Sequence, residues 1–330
     1  MKRCWLVGGM VFGLGAAGAL AARTYSTGAT RTVSARPRTT PQLLPLQPHP
    51  IVALTFDDLP AAGGLRPDIT RVEIATRLTT ELRANHVKGV YGFVNAVDLG
   101  DDPDTQQALR VWIKAGMNIG NHTWSHPSLS SESAAAFEHN IALDEPALRQ
   151  YAGRRNWHWF RYPYLEEGAT LQERKEVRDW LYRHRYRIAE VTLNFNDDDW
   201  SDPYLRCMDK HDEAGIAWLQ RSYLENAEEF VRQGREEEQI AFGHEIPNVL
   251  LLHATRFTAL MLPDLMQQLK QKGFRFAPLP KVEKNPAYAL DPDIALPQGG
   301  SLPEEVLAAR HVQVPPAKPE PVEQLDSVCR

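Results

Sequence analysis

Cysteine is scarce: Cys4, Cys207 and Cys329 are the only three in 330 residues. So few, so scattered, exclude a disulfide-framed mini-domain and a cysteine-built zinc site. Cys207 and Cys329 could pair in an oxidising compartment, but their positions decide nothing either way. An excess of basic charge is missing too. Lys and Arg number 37 against 42 Asp and Glu, a formal net charge of -5, which leaves no hold on a phosphate backbone and excludes nucleic acid as a partner. The apolar run from Trp5 to Leu20 falls short of the roughly 20 residues a membrane span needs, and five glycines from Gly8 to Gly18 loosen it. No internal repeat is present. What remains is ordinary globular usage, 43% hydrophobic and 24% charged, which rules out fibrous and wholly disordered readings. At this length the chain suits one α/β barrel or two smaller domains.

Lys2 and Arg3 precede the apolar run, and Ala19-Leu20-Ala21 closes it with small residues, the pattern of a secretory signal over residues 1–21. An uncleaved anchor is the alternative, and membrane contact is expected only in that case. The protein is therefore expected to be exported to the periplasm, cell envelope or exterior. Residues 22–50 are Thr, Ser, Arg and Pro with few large apolar groups and read as a tether. From Ile51 short apolar runs alternate with longer amphipathic stretches, the pattern of βα units around a parallel sheet. The strands expected are Ile51 to Phe56, Gly89 to Asn95, Met117 to Asn121, Trp157 to Tyr162, Tyr186 to Leu193, Val249 to His253 and Phe274 to Pro278. Helices are expected over Asp68 to Asn85, Pro103 to Ala115, Ser131 to Tyr151, Ala169 to Arg185, Asp212 to Gly234 and Thr255 to Lys272. Residues 51–289 form the expected catalytic domain. Residues 290–330, rich in Pro and charge, read as a mobile tail with one short helix around Pro303 to Arg310.

Five short patterns fall at predicted strand ends, where α/β barrels assemble active sites. Thr55-Phe56-Asp57-Asp58 offers two adjacent carboxylates, one able to bind a cation while the other serves as a general base; a loop cap is the plainer use of such a pair. His122-Thr123-Trp124-Ser125-His126 offers two imidazoles which, with one carboxylate, make a three-ligand site with open positions for water. Arg161-Tyr162-Pro163-Tyr164 brings a guanidinium that could hold a carboxylate ionised and a backbone N–H that could face an oxyanion. Asp197-Asp198-Asp199-Trp200 combines acids with an aromatic, as a sugar cleft or a solvated loop would. Leu250-Leu251-Leu252-His253 ends a buried strand in a histidine suited to a general acid, though a lone core histidine is the default.

In this order the five patterns resemble the motifs of the polysaccharide deacetylase family, carbohydrate esterase family 4, with its NodB homology domain. The resemblance spans roughly Ile51 to Leu279. It implies a distorted (β/α) barrel of about seven parallel strands and hydrolysis of N-acetyl or O-acetyl groups on a glycan such as peptidoglycan, a chitin-like oligomer or an exopolysaccharide. It implies Asp57 as catalytic base, Asp58, His122 and His126 as ligands of one divalent ion, zinc or else cobalt or another, and Arg161 as the residue that positions Asp57. Pro163 and Tyr164 would shape the groove, with the Tyr164 N–H as oxyanion donor. Asp199 would support the base network, Trp200 would wall the site, His253 would be the catalytic acid and Leu251 would receive the acetyl methyl. Asn196 stands where the family carries an acid, which leaves open which of Asp197, Asp198 and Asp199 plays the supporting part. Three alternatives stay in view: the same fold acting on a non-sugar C–N bond, a non-catalytic glycan-binding protein, and a glycosidase, for which the histidines would be unexplained.

Overall fold

The computed structural model describes residues 49–60, 62–66, 68–100, 102–313 and 319–330. The expected signal and nearly all of the expected tether lie outside these residues. Among the described residues no helix is long and apolar enough to cross a membrane.

The sheet is organised around β1 (Ile51–Leu59), whose near-continuous apolar sequence suits a central strand buried on both faces. It pairs in parallel with β2 (Tyr91–Val94) on one side and β6 (Asn248–His253) on the other, while β7 (Arg275–Phe276) joins its first residues. β3 (Asn118–Asn121), β4 (Trp159–Phe160) and β5 (Arg187–Ile188) continue outward, giving the order β5-β4-β3-β2-β1-β6. All these pairings are parallel. The expected strand Tyr186 to Leu193 divides. Its first part pairs with β4, and Leu193 instead bridges Leu250 of β6. Between them the Ala189 carbonyl accepts from Arg161 Nε at 2.7 Å rather than from a strand. Through that bridge the curled sheet closes into a distorted α/β barrel of seven parallel strands.

The helices are α1 (Arg71–Ala84), α2 (Pro103–Lys114), α3 (Ala134–Ala152), α4 (Leu171–Arg183), α5 (Ser201–Asp209), α6 (Glu213–Phe242), α7 (Arg256–Gln271), α8 (Leu279–Val282), α9 (Leu302–Ala309) and α10 (Val322–Ser327). Local signals start them: Thr70 with Glu73 and Thr170 with Glu173 form capping boxes, and Ser133, Asp212 and Thr255 cap through their side chains. α6 runs eight residues past Gly234, where it was expected to end. Gly234 lies where Leu193 packs onto the helix, and the helix stops at Gly243, whose left-handed backbone ends it.

Along β1, Val52, Leu54 and Phe56 join the core between sheet and helices, while Ala53 joins Phe93, Trp159 and Val249 inside the barrel. The two-residue period therefore puts Thr55 and Asp57 on the interior face with Ala53.

In the segment expected as a mobile tail, the described residues 290–313 and 319–330 instead make packing, ion-pair and disulfide contacts with the domain. Ser301 and Glu304 form a capping box, and Leu302, Val306 and Leu307 of α9 bury against Ala241 of α6. Asp291 and Glu305 lie within 4 Å of the buried Arg174 at 2.5 and 3.8 Å. Cys329 is disulfide-bonded to Cys207 of α5. Asp291 and Glu305 thus find a partner in the fold.

Candidate active site

Asp57 is almost fully buried at the end of β1, and its register partner on β6 is His253. Arg161, directly after β4, reaches it across the barrel. Nη1 lies 3.3 and 3.2 Å from the two Asp57 oxygens, Nη2 donates to Thr55 Oγ1 at 3.2 Å, and the guanidinium carbon rests 4.7 Å from the Phe93 ring centroid. With Nε on the Ala189 carbonyl, every edge of the buried guanidinium is engaged. The carboxylate is therefore held in one orientation by a partner that cannot swing away.

Asp58 turns the other way because its backbone is left-handed, at φ 58°. Its Oδ1 is buried, accepts no hydrogen bond, and lies 3.4 Å from Nε2 of both His122 and His126. Donors bound to one tetrahedral ion at about 2.1 Å lie about 3.4 Å apart, so the spacing fits a zinc-sized cation. The chemistry fits too. His122 Nδ1 donates to the Arg161 carbonyl at 2.8 Å, which leaves Nε2 as the nitrogen that faces Asp58. Burial and the neighbouring His122 push the His126 imidazole down to about 4, against the pull of Asp58 and Asp57, so it is neutral at ordinary pH. Burial works against charge on Asp58, but the neighbouring His122, with His253 and His126 beyond, carries that carboxyl well below the usual range. A carboxylate oxygen with no donor, between two imidazole nitrogens, is a ligand set for a divalent ion.

On the opposite side, His253 has a different neighbourhood. Its Nδ1 lies 2.8 Å from Asp197 Oδ1 and 3.3 Å from Asp198 Oδ1, and its backbone N–H donates to both Asp197 oxygens at 3.1 Å. Thr258 Oγ1 also donates to Asp197. Burial disfavours the imidazolium, yet Asp197, with Asp198 and Asp58 behind it, holds His253 well above its ordinary value. Nε2 is left as the nitrogen available to the cavity that His253 lines.

The two sets share a cavity of about 390 Å³ lined also by Tyr164, Leu251 and Asn194. Its loops carry a concentration of left-handed non-glycine residues: Asp58, Thr123, His126, Tyr164, Leu165 and Asn196. Such backbone is costly and marks places where side-chain direction has been fixed at the expense of comfort.

Most of the residues singled out from sequence converge here, with three corrections. Asp199 lines the cavity, but the acid bonded to His253 is Asp197. The motif forms a 3-10 turn (Asp197–Trp200), and three residues per turn put Asp197 and Trp200 inward and Asp198 and Asp199 outward. Trp200 consequently does not wall the site; it is fully buried behind it, its Nε1 donating to Ser222 Oγ at 2.8 Å. Pro163 is buried in the turn that presents Tyr164 and does not line the cavity. Sequence reasoning also passed over Asn194 and Gln298, both cavity-lining, and Thr258, whose only signal is its place in the first turn of α7 beneath the acid.

Residues 46–183 match the family model described as polysaccharide deacetylase, which takes in the first three motifs; the DDDW and LLLH motifs lie beyond it. Among curated relatives, the chain is 31% identical over 167 residues to a chitin deacetylase of Colletotrichum lindemuthianum, covering 49% of this chain and 60% of that one. It is 25% identical over 237 residues to a peptidoglycan-N-acetylglucosamine deacetylase of Bacillus cereus, covering 70% and 67%. Of solved structures, a CE4 family pseudoenzyme from Bacillus anthracis aligns with a TM-score of 0.49 at 16% identity, over 71% of this chain and 66% of that one.

Proposed function

We propose that the protein, whose residues 46–183 match the polysaccharide deacetylase family model, is a metal-dependent hydrolase removing acetyl groups from a glycan. The observation that carries the reading is a single arrangement. A buried carboxylate clamped by Arg161 and a histidine held by Asp197 are register partners, beside a converging Asp58, His122 and His126. That set supplies a base, an acid and a cation seat within one cavity, the minimum for hydrolysing an amide or ester without a covalent intermediate.

Asp58, His122 and His126 would hold one divalent ion, with zinc the best fit to the N and O donors. Such an ion would supply Lewis-acid polarisation of the acetyl carbonyl and a lowered pKa for water. The chain's own residues do the remaining work. Asp57, held and aligned by Arg161, accepts the proton of the attacking water. His253, kept as imidazolium by Asp197, gives its proton to the departing nitrogen or oxygen through Nε2. Leu251 offers an apolar lining at the cavity for the acetyl methyl, and the Tyr164 N–H is assigned to the developing oxyanion.

An N-acetylated chain of glucosamine type is favoured as substrate, since the relatives named above are deacetylases of chitin and of peptidoglycan N-acetylglucosamine. Export accords with the Lys2-Arg3 leader and with the Cys207–Cys329 bond, which persists in oxidising compartments. The test is acetate release by the full chain from N- and O-acetylated glycans, with and without a chelator, beside Asp57→Asn. Chelator-sensitive release lost in the variant is the expected result. A wild-type protein that binds one divalent ion yet releases acetate from no glycan would turn the reading toward the non-sugar amide or glycan-binding alternatives.

A further inference from the structure

A second cavity, of about 270 Å³, adjoins the catalytic one. The two share Tyr164, Leu165, Asn194, Asn196 and Gln298, and the second is otherwise walled by residues 192–193, by α6, through Phe230 and Gln233, and by the C-terminal segment. We propose that this cavity binds the sugar ring next to the one losing its acetyl group, and that residues 296–301 are a substrate-binding element that builds it. The inference rests on the glycan deacetylase reading above and names the part of the substrate that lies beyond the reacting ring.

Gln298 reaches both cavities because its backbone is pinned. Ser130 Oγ donates to the Pro297 carbonyl at 2.9 Å, and Leu302 N donates to the Val191 carbonyl at 2.8 Å. Between these anchors Gly299 has φ 71°, and a Cβ there would overlap the Tyr164 carbonyl oxygen. Only glycine lets the segment lie against the loop that carries Tyr164. The segment is therefore fixed to the same turn that shapes the catalytic cavity.

The lining has the chemistry of a neutral sugar site. Side-chain amides offer paired donors and acceptors to hydroxyl and acetamido groups. Gln233 donates through Nε2 to Glu237 at 2.7 Å, but its Oε1 is buried and accepts nothing. A sugar hydroxyl would satisfy that atom. The Tyr164 ring, more than half exposed, and Phe230 supply flat apolar surface of the kind on which a pyranose face packs. No Lys or Arg lines the cavity, and Glu237 and Glu304 do, so its charge disfavours an anionic ring.

The experiment compares N-acetylglucosamine dimer, trimer and tetramer as substrates of the full chain and of Gln298→Ala and Gln233→Met. The wild-type kcat/KM should rise at least about tenfold from dimer to tetramer, the worth of one or two hydrogen bonds. Either variant should flatten that ratio, chiefly through KM. Equal wild-type efficiency at every length, or a ratio kept in both variants, would overturn the subsite while leaving deacetylation intact. A wild type that releases no acetate from any oligomer defeats the deacetylase reading instead, and calorimetric titration with the tetramer then decides the cavity. Binding weakened by Gln298→Ala upholds it, and no binding overturns it.

Discussion

The cavity holds two clusters of carboxylate and imidazole that do opposite things with protons. In one, Asp58 faces the Nε2 atoms of His122 and His126, and His126 is pushed down to about 4. In the other, Asp197 and Asp198 face His253, which is held well above its ordinary value. Residue types are the same; the ratio differs. One acid shared by two crowded imidazoles leaves lone pairs pointing at a common centre, whereas two acids on one imidazole keep it protonated. The first arrangement suits a cation and the second suits a proton donor. Function here follows from stoichiometry and burial more than from the presence of histidine and aspartate.

The largest effect that tests this contrast is at Asp58. Asp58→Asn keeps the shape but removes the anionic oxygen, and should lower activity by about a thousandfold or more together with bound metal measured by mass spectrometry. Unchanged metal content would break the assignment of this cluster as the cation seat. Next comes Asp197→Asn. Without its anionic partner the buried His253 loses its proton at lower pH, so the alkaline limb of the kcat/KM profile should move down. The loss should be about a hundredfold at pH 8 and smaller at pH 6, where the imidazolium persists. A profile that drops in height but keeps its limb would mean that Asp197 only positions His253.

Stability should split the clusters by sign. His126 is depressed in the folded state, so its contribution is present above pH about 6.5 and is lost as pH falls toward 4, because the unfolded chain takes up a proton the folded one refuses. His253 is raised, so its contribution is present below pH about 6.5 and is lost as pH rises through its folded value. In metal-free protein, urea unfolding at pH 7.5 and 4.5 should show the wild type losing about 2 kcal/mol relative to His126→Gln. No pH-dependent difference between them would show that His126 titrates normally.

The legible parts of this molecule were those whose chemistry sits within a few residues at a strand end. Asp57, Asp58, His122, His126, Arg161 and His253 each follow a short apolar run, and the parallel sheet does the rest by aligning strand ends at one mouth. Harder to read were residues whose role depends on distant partners. Expected mobility of 290–330 came from composition, yet the exposed Asp291 and the buried Glu305 join Arg174 and Glu167 in one charge network, and so few apolar residues suffice to seat α9. The Ser301 and Glu304 pair before Val306 and Leu307 was the local sign of that helix. Nothing local marks Gln298, which reaches the cavity only because Gly299 lets the segment press against the Tyr164 turn. The early break in the fifth strand has the same origin, since the Ala189 carbonyl is claimed by an arginine 28 residues away.

The smallest expected effect is the sharpest test of how the acidic triplet divides its labour. Three consecutive aspartates look interchangeable in sequence, but the 3-10 turn gives them different neighbours. Asp197 is fully buried and bonded to His253 and Thr258, whereas Asp198 and Asp199 stay outward. Burial and repulsion from Asp197 push the Asp199 carboxyl up, and His253 only partly offsets them. Asp199 therefore acts on the imidazolium through space, across a partly solvated path that screens it. Asp199→Asn should change kcat/KM by less than about threefold, with the alkaline limb nearly fixed. A loss matching that of Asp197→Asn would mean that the turn reorganises when substrate binds, bringing the outer acid inward, and that the proton-donor cluster is assembled by the substrate rather than waiting for it.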